Sequence, residues 1–279
     1  MTGRHDKIEL FPFSFSDYCQ YKGIDPTLST TKAEAFRRGA FDEYLRQGGF
    51  PELLHKKMKK GYVSNLVDNI LKRDIEQRHN IKYVRAFEQL SHHLLNISPA
   101  VVIKKDLVTL FGFKSHHTID NYIGYLKEAY LLAGLSKYSN KSKQRVHDEK
   151  VYPIDVALMD GREDAMANEN LGWRLESIVY IELLRRNKPL ERDIYYFKNE
   201  DGYEADFVVC KGNKVEEVYQ VCYDMTKEKT RSREIRGLLT ASRHTHCNNL
   251  FLITDFEREE INQEGKLIKV IPAYEWLIK

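Results

Sequence analysis

Apolar residues recur along this chain with two periods, and the change from one to the other marks out its elements. A spacing of three and four residues predicts helices over 31–47 and over 63–78, the latter with Val63, Leu66, Val67, Ile70 and Leu71 on one face. The same period predicts helices over Phe87–Leu95, Ile103–Phe111 and His116–Tyr130. Short apolar runs bounded by turn residues predict strands over 8–12, ending at Pro12, over 131–138 and over 150–155. Ser14 or Ser16 is placed to cap a helix beginning near Asp17, and Ser115 to cap the helix that follows Gly112. Gly48-Gly-Phe-Pro-Glu52 ends the 31–47 helix in a turn. From about residue 168 the order becomes a helix, strands at 194–198, 205–210 and 215–222, a helix at 230–243, and strands at 250–254 and 267–271.

Three helices between 87 and 130, with a short Gly turn between the second and third, precede two strands around the basic loop Asn140–His147. That is the pattern of a winged helix-turn-helix. The later strands, interrupted by a crossover helix, predict a mixed sheet with helices on its faces. The expected fold class is therefore α/β (α+β). A linker near 160–168 divides a helical and winged-helix domain over 61–160 from a sheet domain over 161–279.

Composition narrows the class. With 279 residues, 42% hydrophobic and 30% charged, the chain reads as globular and long enough for two cores. No apolar run approaches the roughly 18 residues of a membrane span, and no hydrophobic signal segment follows Met1, so no membrane partner is expected. Cys19, Cys210, Cys222 and Cys247 are scattered without a Cys-x-x-Cys pair. Such spacing argues against a zinc module and fits the reduced thiols of a cytoplasm. The net charge of +3 hides a gradient: +3 over residues 1–60, +5 over 61–150 and −5 over 151–279. A basic middle suits a nucleic-acid contact and an acidic end suits cation binding. An ordinary solvated surface gives the same counts.

Two constellations carry candidate chemistry. The front of the 116–130 helix offers Lys114, Ser115, His116, His117 and Asn121, the preceding helix opens on Lys104 and Lys105, and the loop carries Lys141, Lys143 and Arg145. A recognition helix reads bases through its N-terminal side chains while lysines hold phosphates, so duplex DNA is the expected partner, with Asn121 suited to adenine. The same fold also serves as a protein-docking module. In the acidic part, Glu176 lies in a helix, Glu204 and Asp206 open a strand, and Gln220 and Cys222 lie in the next strand. Helix-Glu, strand-Asp, strand-Glu-x-Lys is the layout of a PD-(D/E)xK metal-dependent phosphodiesterase of the restriction-endonuclease type. In that layout paired carboxylates bind Mg²⁺ or Mn²⁺ and the lysine stabilises developing charge. Here Gln220 and Cys222 stand where Glu and Lys would be, so the expected catalytic set Glu176, Asp206 and Gln220 is vestigial. Asp206 with Glu204 is the candidate metal pair, and Lys198, Lys227, Lys229 or Arg231 is the candidate replacement cation. An exposed strand-start pair with a helix salt bridge is the plainer reading of the same residues. His92-His93, His116-His117 and His244-Thr-His246-Cys247 lack the spacing of a metal site. No Gly-x-x-x-x-Gly-Lys-Ser/Thr phosphate loop occurs.

Ordered motifs extend along nearly the whole chain: Thr2-Gly-Arg4, Leu10-Phe-Pro-Phe-Ser-Phe15, Gly48-Gly-Phe-Pro-Glu52, Arg73-Asp-Ile75, Asn121-Tyr-Ile-Gly-Tyr-Leu126, Lys150-Val-Tyr-Pro-Ile-Asp155, Glu176-Ser-Ile-Val-Tyr-Ile-Glu-Leu183, Glu204-Ala-Asp-Phe207 and Gln220-Val-Cys222. Together they resemble the region that follows the P-loop core in a large prokaryotic family of AAA-type ATPases, catalogued as a domain of unknown function. The resemblance implies a winged helix followed by a degenerate restriction-endonuclease-like domain, with residues 1–60 linking to an ATPase core and Arg4 falling where that core finishes. It implies a DNA- or partner-binding module that needs no cofactor of its own, ATP entering only through a core supplied elsewhere. The alternatives are a Mg²⁺- or Mn²⁺-dependent DNA nuclease and a protein-docking module of a defence-type system.

Overall fold

A computed structural model describes residues 9–55, 59–139, 149–160, 170–187 and 193–278, except for the side chains of Lys59 and Lys60. The chain opens with α1 (Phe15–Tyr21), whose first turn is closed by a reciprocal pair of bonds between Ser14 and Asp17. The expected strand over 8–12 does not form. Residues 9–14 run without regular structure, and Phe13 donates to the Gly49 carbonyl instead. α2 (Thr31–Gln47) follows, capped by Thr30. It ends at Gly48, whose φ of +74° only glycine adopts without strain, and whose added Cβ would lie 1.8 Å from Asp155 Oδ1.

The long helix expected over 63–78 is instead α3 (Lys59–Asn69) continued by a π-helical segment, Ile70–Glu76. The buried side chains Val63, Val67, Leu71 and Ile75 fall four apart. In an α-helix four-residue steps drift by about 40° each. The wider π turn absorbs that drift and returns Ile75 to the core.

Next come α4 (Val84–Ile97), β1 (Ala100–Val101), α5 (Lys104–Phe111), α6 (His116–Glu128), β2 (Leu132–Ser136) and β3 (Glu149–Pro153). The strands make an antiparallel sheet in the order β1-β3-β2. The expected basic loop, with Lys141, Lys143 and Arg145, lies outside the described residues, as does the expected linker beyond Asp160. β1 is a two-residue strand that the apolar pattern does not signal.

α7 (Leu171–Arg186) then leads into β4 (Asp193–Lys198), β5 (Glu204–Lys211), β6 (Lys214–Cys222), α8 (Glu228–Thr245), β7 (Leu250–Thr254), β8 (Glu259–Gln263), β9 (Lys266–Pro272) and α9 (Ala273–Trp276). Six strands form one mixed sheet in the order β4-β5-β6-β7-β9-β8. β4, β5 and β6 run antiparallel, β6, β7 and β9 parallel, and β8 returns antiparallel to β9. The mixture of helices and sheets matches the expected α/β class. β8 is not among the expected strands, because four of its five residues are polar and it lies on a sheet edge.

Two cores clad this sheet. Phe207, Val209, Tyr219 and Ile253 join α7 and everything N-terminal to it in one cluster, whereas Val208, Val218 and Leu252 pack with Ile235 and Leu238 of α8 in another. The smaller sheet abuts the larger at its β4 edge, where Tyr138 N–H donates to Tyr196 O at 2.6 Å.

Candidate functional site

The antiparallel register of β5 and β6 puts Asp206 opposite Gln220. Their pairing goes beyond the ladder: Gln220 Oε1 accepts from the Asp206 N–H at 3.2 Å, and Asp206 Oδ2 accepts from the Val221 N–H at 2.8 Å. The other end of the Gln220 amide donates to Glu234 Oε2 of α8 at 2.6 Å. A glutamate at 220 would face Glu234 with like charge, so the amide is what this packing tolerates. α8 comes this close because Gly237 has no side chain; a Cβ there would lie 2.2 Å from the Glu204 carbonyl.

Glu176, one turn into α7, reaches the same place. Its Oε1 accepts from the Tyr152 hydroxyl at 2.8 Å and lies 3.5 Å from Lys150 Nζ. Lys150 also pairs with Glu204, and Lys198 pairs with the other Glu204 oxygen at 3.3 Å. The lysine found here is thus Lys150, on β3 of the smaller sheet, which motif spacing does not indicate. Of the cations expected as replacements only Lys198 takes part; Arg231 is engaged at 2.6 Å with Glu259. The legible signal is a lysine and a tyrosine two apart on a short strand, and so pointing one way. Glu234 carries no such signal, because only the packing of α8 brings it to Gln220.

An open cleft of about 510 Å³ lies at this point, lined among others by Trp173, Glu176, Glu204, Asp206, Gln220 and Glu234. Charge governs its state. Burial pushes the Asp206 carboxyl well above the usual carboxylate range, and the neighbouring Glu176 charge adds to the effect. Burial alone would lower Lys150, but Glu176, Asp206 and Glu204 more than offset it and hold the ammonium charged. Burial also opposes ionisation of Glu204, and the Lys150 charge outweighs it, leaving that carboxyl below its ordinary value. Cys222 supplies no cation: its thiol donates to the Asp224 carbonyl, and burial pushes it up to about 12.

These donors do not fit a divalent ion as arranged. Both Glu204 oxygens meet lysines, Glu176 Oε1 meets Tyr152 and Lys150, and the Gln220 oxygen faces the Asp206 backbone. Among the described residues no three His, Cys, Asp or Glu side chains are grouped to hold a metal. Mg²⁺ needs near-octahedral oxygens at about 2.1 Å.

The second constellation is more open. Lys114, Ser115, His116 and His117 are exposed at the α5–α6 turn and the start of α6, Lys105 and Asn121 are exposed within α5 and α6, and Lys104 is tied to Asp120 at 2.6 Å. Ser115 holds the N-cap position of α6, its hydroxyl 3.3 Å from Thr118 Oγ1 rather than on a backbone N–H. Among the described residues no helix is long and apolar enough to cross a membrane.

Residues 38–164 match a domain of unknown function, DUF8612, and residues 171–276 match a second, DUF4143. An uncharacterized protein of Methanocaldococcus jannaschii is 30% identical across 99% of this chain and 64% of its own length. One from Haemophilus influenzae is 27% identical across 100% and 66%. The chain thus spans about two thirds of the curated relatives it matches. A solved assembly of Thermococcus gammatolerans McrB AAA+ hexamers with bound McrC aligns at 15% identity and a TM-score of 0.27, over 66% of this chain and 46% of that one. DUF4143 is a domain often paired with AAA ATPases, and in residues 171–276 this chain is similar to that ATPase-associated domain.

Proposed function

We propose that this chain is the DNA-binding region of an AAA-type ATPase system, in which a winged helix makes the contact and a nuclease-like sheet serves as scaffold. The supporting observation is the exposed front of α6. Lys105 of α5, Lys114 of the following turn, and His116, His117 and Asn121 of α6 are all exposed, and the Lys104–Asp120 pair brings the start of α5 to the face of α6, in a unit built as three helices and an antiparallel sheet. In such a unit the N-terminal side chains of the last helix meet base edges and the lysines meet phosphates. The order of α7, three antiparallel strands, α8 and a parallel strand is that of a restriction-endonuclease-like core. Its site has Gln220 bound to Glu234 and no lysine at 222, and its carboxylates pair with Lys150 instead.

Duplex DNA titrated against the full chain tests this. Affinity falls linearly on a log–log plot against salt, and Lys105→Ala with Lys114→Ala flattens the slope by roughly one per phosphate contact removed. Asn121→Ala costs about 1–3 kcal/mol on a preferred sequence and little on others. Binding that is undetectable at low ionic strength, or indifferent to salt, rejects the reading.

A second reading, a Mg²⁺- or Mn²⁺-dependent DNA nuclease, is favoured by one observation: Glu176, Glu204 and Asp206 do meet beside an ammonium. Plasmid left intact with Mn²⁺, or nicked equally by Asp206→Ala, removes it.

A further inference from the structure

We infer that the Lys150 ammonium is the resident cation of the carboxylate site, neutralising the charge that a divalent metal neutralises in a phosphodiesterase of this layout. The wild-type chain accordingly holds no divalent ion at Asp206. This inference is independent of DNA binding by α6, and the two fail separately.

Four observations carry it. Lys150 is buried, yet its Nζ reaches Glu204 and lies 3.5 Å from Glu176, with the Tyr196 ring face 5.3 Å away. A buried ammonium is held only by such compensation. Second, the charges balance locally: Glu204 divides its oxygens between Lys150 and Lys198, and Glu176 divides one oxygen between Lys150 and the Tyr152 hydroxyl. Third, the neutral Gln220 is fixed by Asp206 N–H on one side and Glu234 on the other, so its carbonyl is not offered to the cleft. Fourth, Lys150 and Tyr152 both come from β3, whose register against β2 pairs Lys150 with Leu135 and Tyr152 with Ala133. The cation is therefore delivered by one sheet to the carboxylates of another, and its position is fixed by backbone pairing rather than by a mobile side chain on a loop.

An ammonium bonded to the Glu176 and Glu204 oxygens occupies and neutralises the ligands that a divalent ion would need, so the two compete. Removing the first should create the conditions for the second.

The experiment is Mn²⁺ titration of the full chain, followed by electron paramagnetic resonance and by the thermal midpoint, for wild type, Asp206→Asn, Lys150→Met and Lys150→Met/Asp206→Asn. The wild type and Asp206→Asn are expected to give superimposable titrations. Lys150→Met is expected to bind one Mn²⁺ at least about tenfold more tightly than wild type, each factor of ten being about 1.4 kcal/mol. Its midpoint should rise with Mn²⁺, and both gains should vanish in the double variant. Mn²⁺ binding by wild type that Asp206→Asn abolishes overturns the inference, as does a folded Lys150→Met that gains no site. If Lys150→Met does not fold, the comparison of wild type with Asp206→Asn decides alone.

Discussion

Asp155 lies buried beneath the Gly48–Gly49 turn, where its two oxygens accept from the Gly49 and Ala157 N–H groups at 2.8 Å each. Burial pushes its carboxyl up to about 6, against the downward pull of those two bonds. A folded value above the unfolded one means that protonation favours the native state. The stabilisation is complete below the unfolded value, about 4, and is lost as pH rises through about 6. Wild type should therefore lose about 3 kcal/mol relative to Asp155→Asn between about pH 4 and pH 7, since each pH unit between the two values is worth roughly 1.4 kcal/mol. Urea unfolding of both proteins at several pH values checks it, and a constant difference rejects it. Asp155 also shows what was legible. The Lys150-Val-Tyr-Pro-Ile-Asp155 stretch reads as a strand, but neither Asp155 nor Lys150 declares its partners, because Gly49 and Glu204 lie 106 and 54 positions away in the chain. Glu176, Glu204, Asp206 and Gln220 were legible because helix position and the two-residue strand period place them without knowledge of distant contacts.

At the level of elements, α2 and α8 carry glycines of opposite meaning. In α8 the Gly237 Cα faces the Glu204 carbonyl, and a methyl would sit 2.2 Å from that backbone oxygen. Gly237→Ala should push α8 off β5, costing about 1–3 kcal/mol in urea unfolding and disturbing the Gln220–Glu234 bond. In α2 a methyl at Gly39 meets nothing within 4 Å. Gly39→Ala should therefore stabilise by about 0.4–1 kcal/mol, through the helix preference of alanine and the lower entropy of the unfolded chain. Equal effects at the two positions would contradict the close approach of α8. The elements most visible in the sequence were α6, whose one buried face imposes a period, and β5 and β6, whose apolar runs are bounded by turn residues. Those missed include α9, β1, β8 and the π-helical break. The two strands are held by backbone pairing at sheet edges, and the break by a four-residue burial interval that an α-helix only approximates.

In the whole molecule the six-stranded sheet is not an independent body. Arg174 of α7 is almost fully enclosed; its guanidinium donates to the Arg46 carbonyl at 2.9 Å and pairs with Asp160. Arg185, three turns further on, donates to the Pro12 carbonyl at 2.8 Å. α7 is therefore bonded to the N-terminal segment while its apolar face, with Leu175, Ile178 and Val179, belongs to the cluster that holds both Phe15 and Phe207. A chain read as two domains from its linker composition thus has a single apolar cluster running through both. Chains of this size often unfold in steps, but a shared core penalises any state in which one part has opened and the other has not. The four buried free cysteines report on this directly: Cys19 lies in α1, Cys210 in β5, Cys222 in β6 and Cys247 beyond α8. Pulse labelling of thiols across a urea gradient, read peptide by peptide, should expose Cys19 and the three others at one midpoint, coincident with the loss of fluorescence from Trp173 and Trp276. Labelling of Cys19 well before the sheet cysteines would mean that the contacts made by Arg174 and Arg185 do not couple the two parts, and that the boundary near residue 160 separates units that open independently.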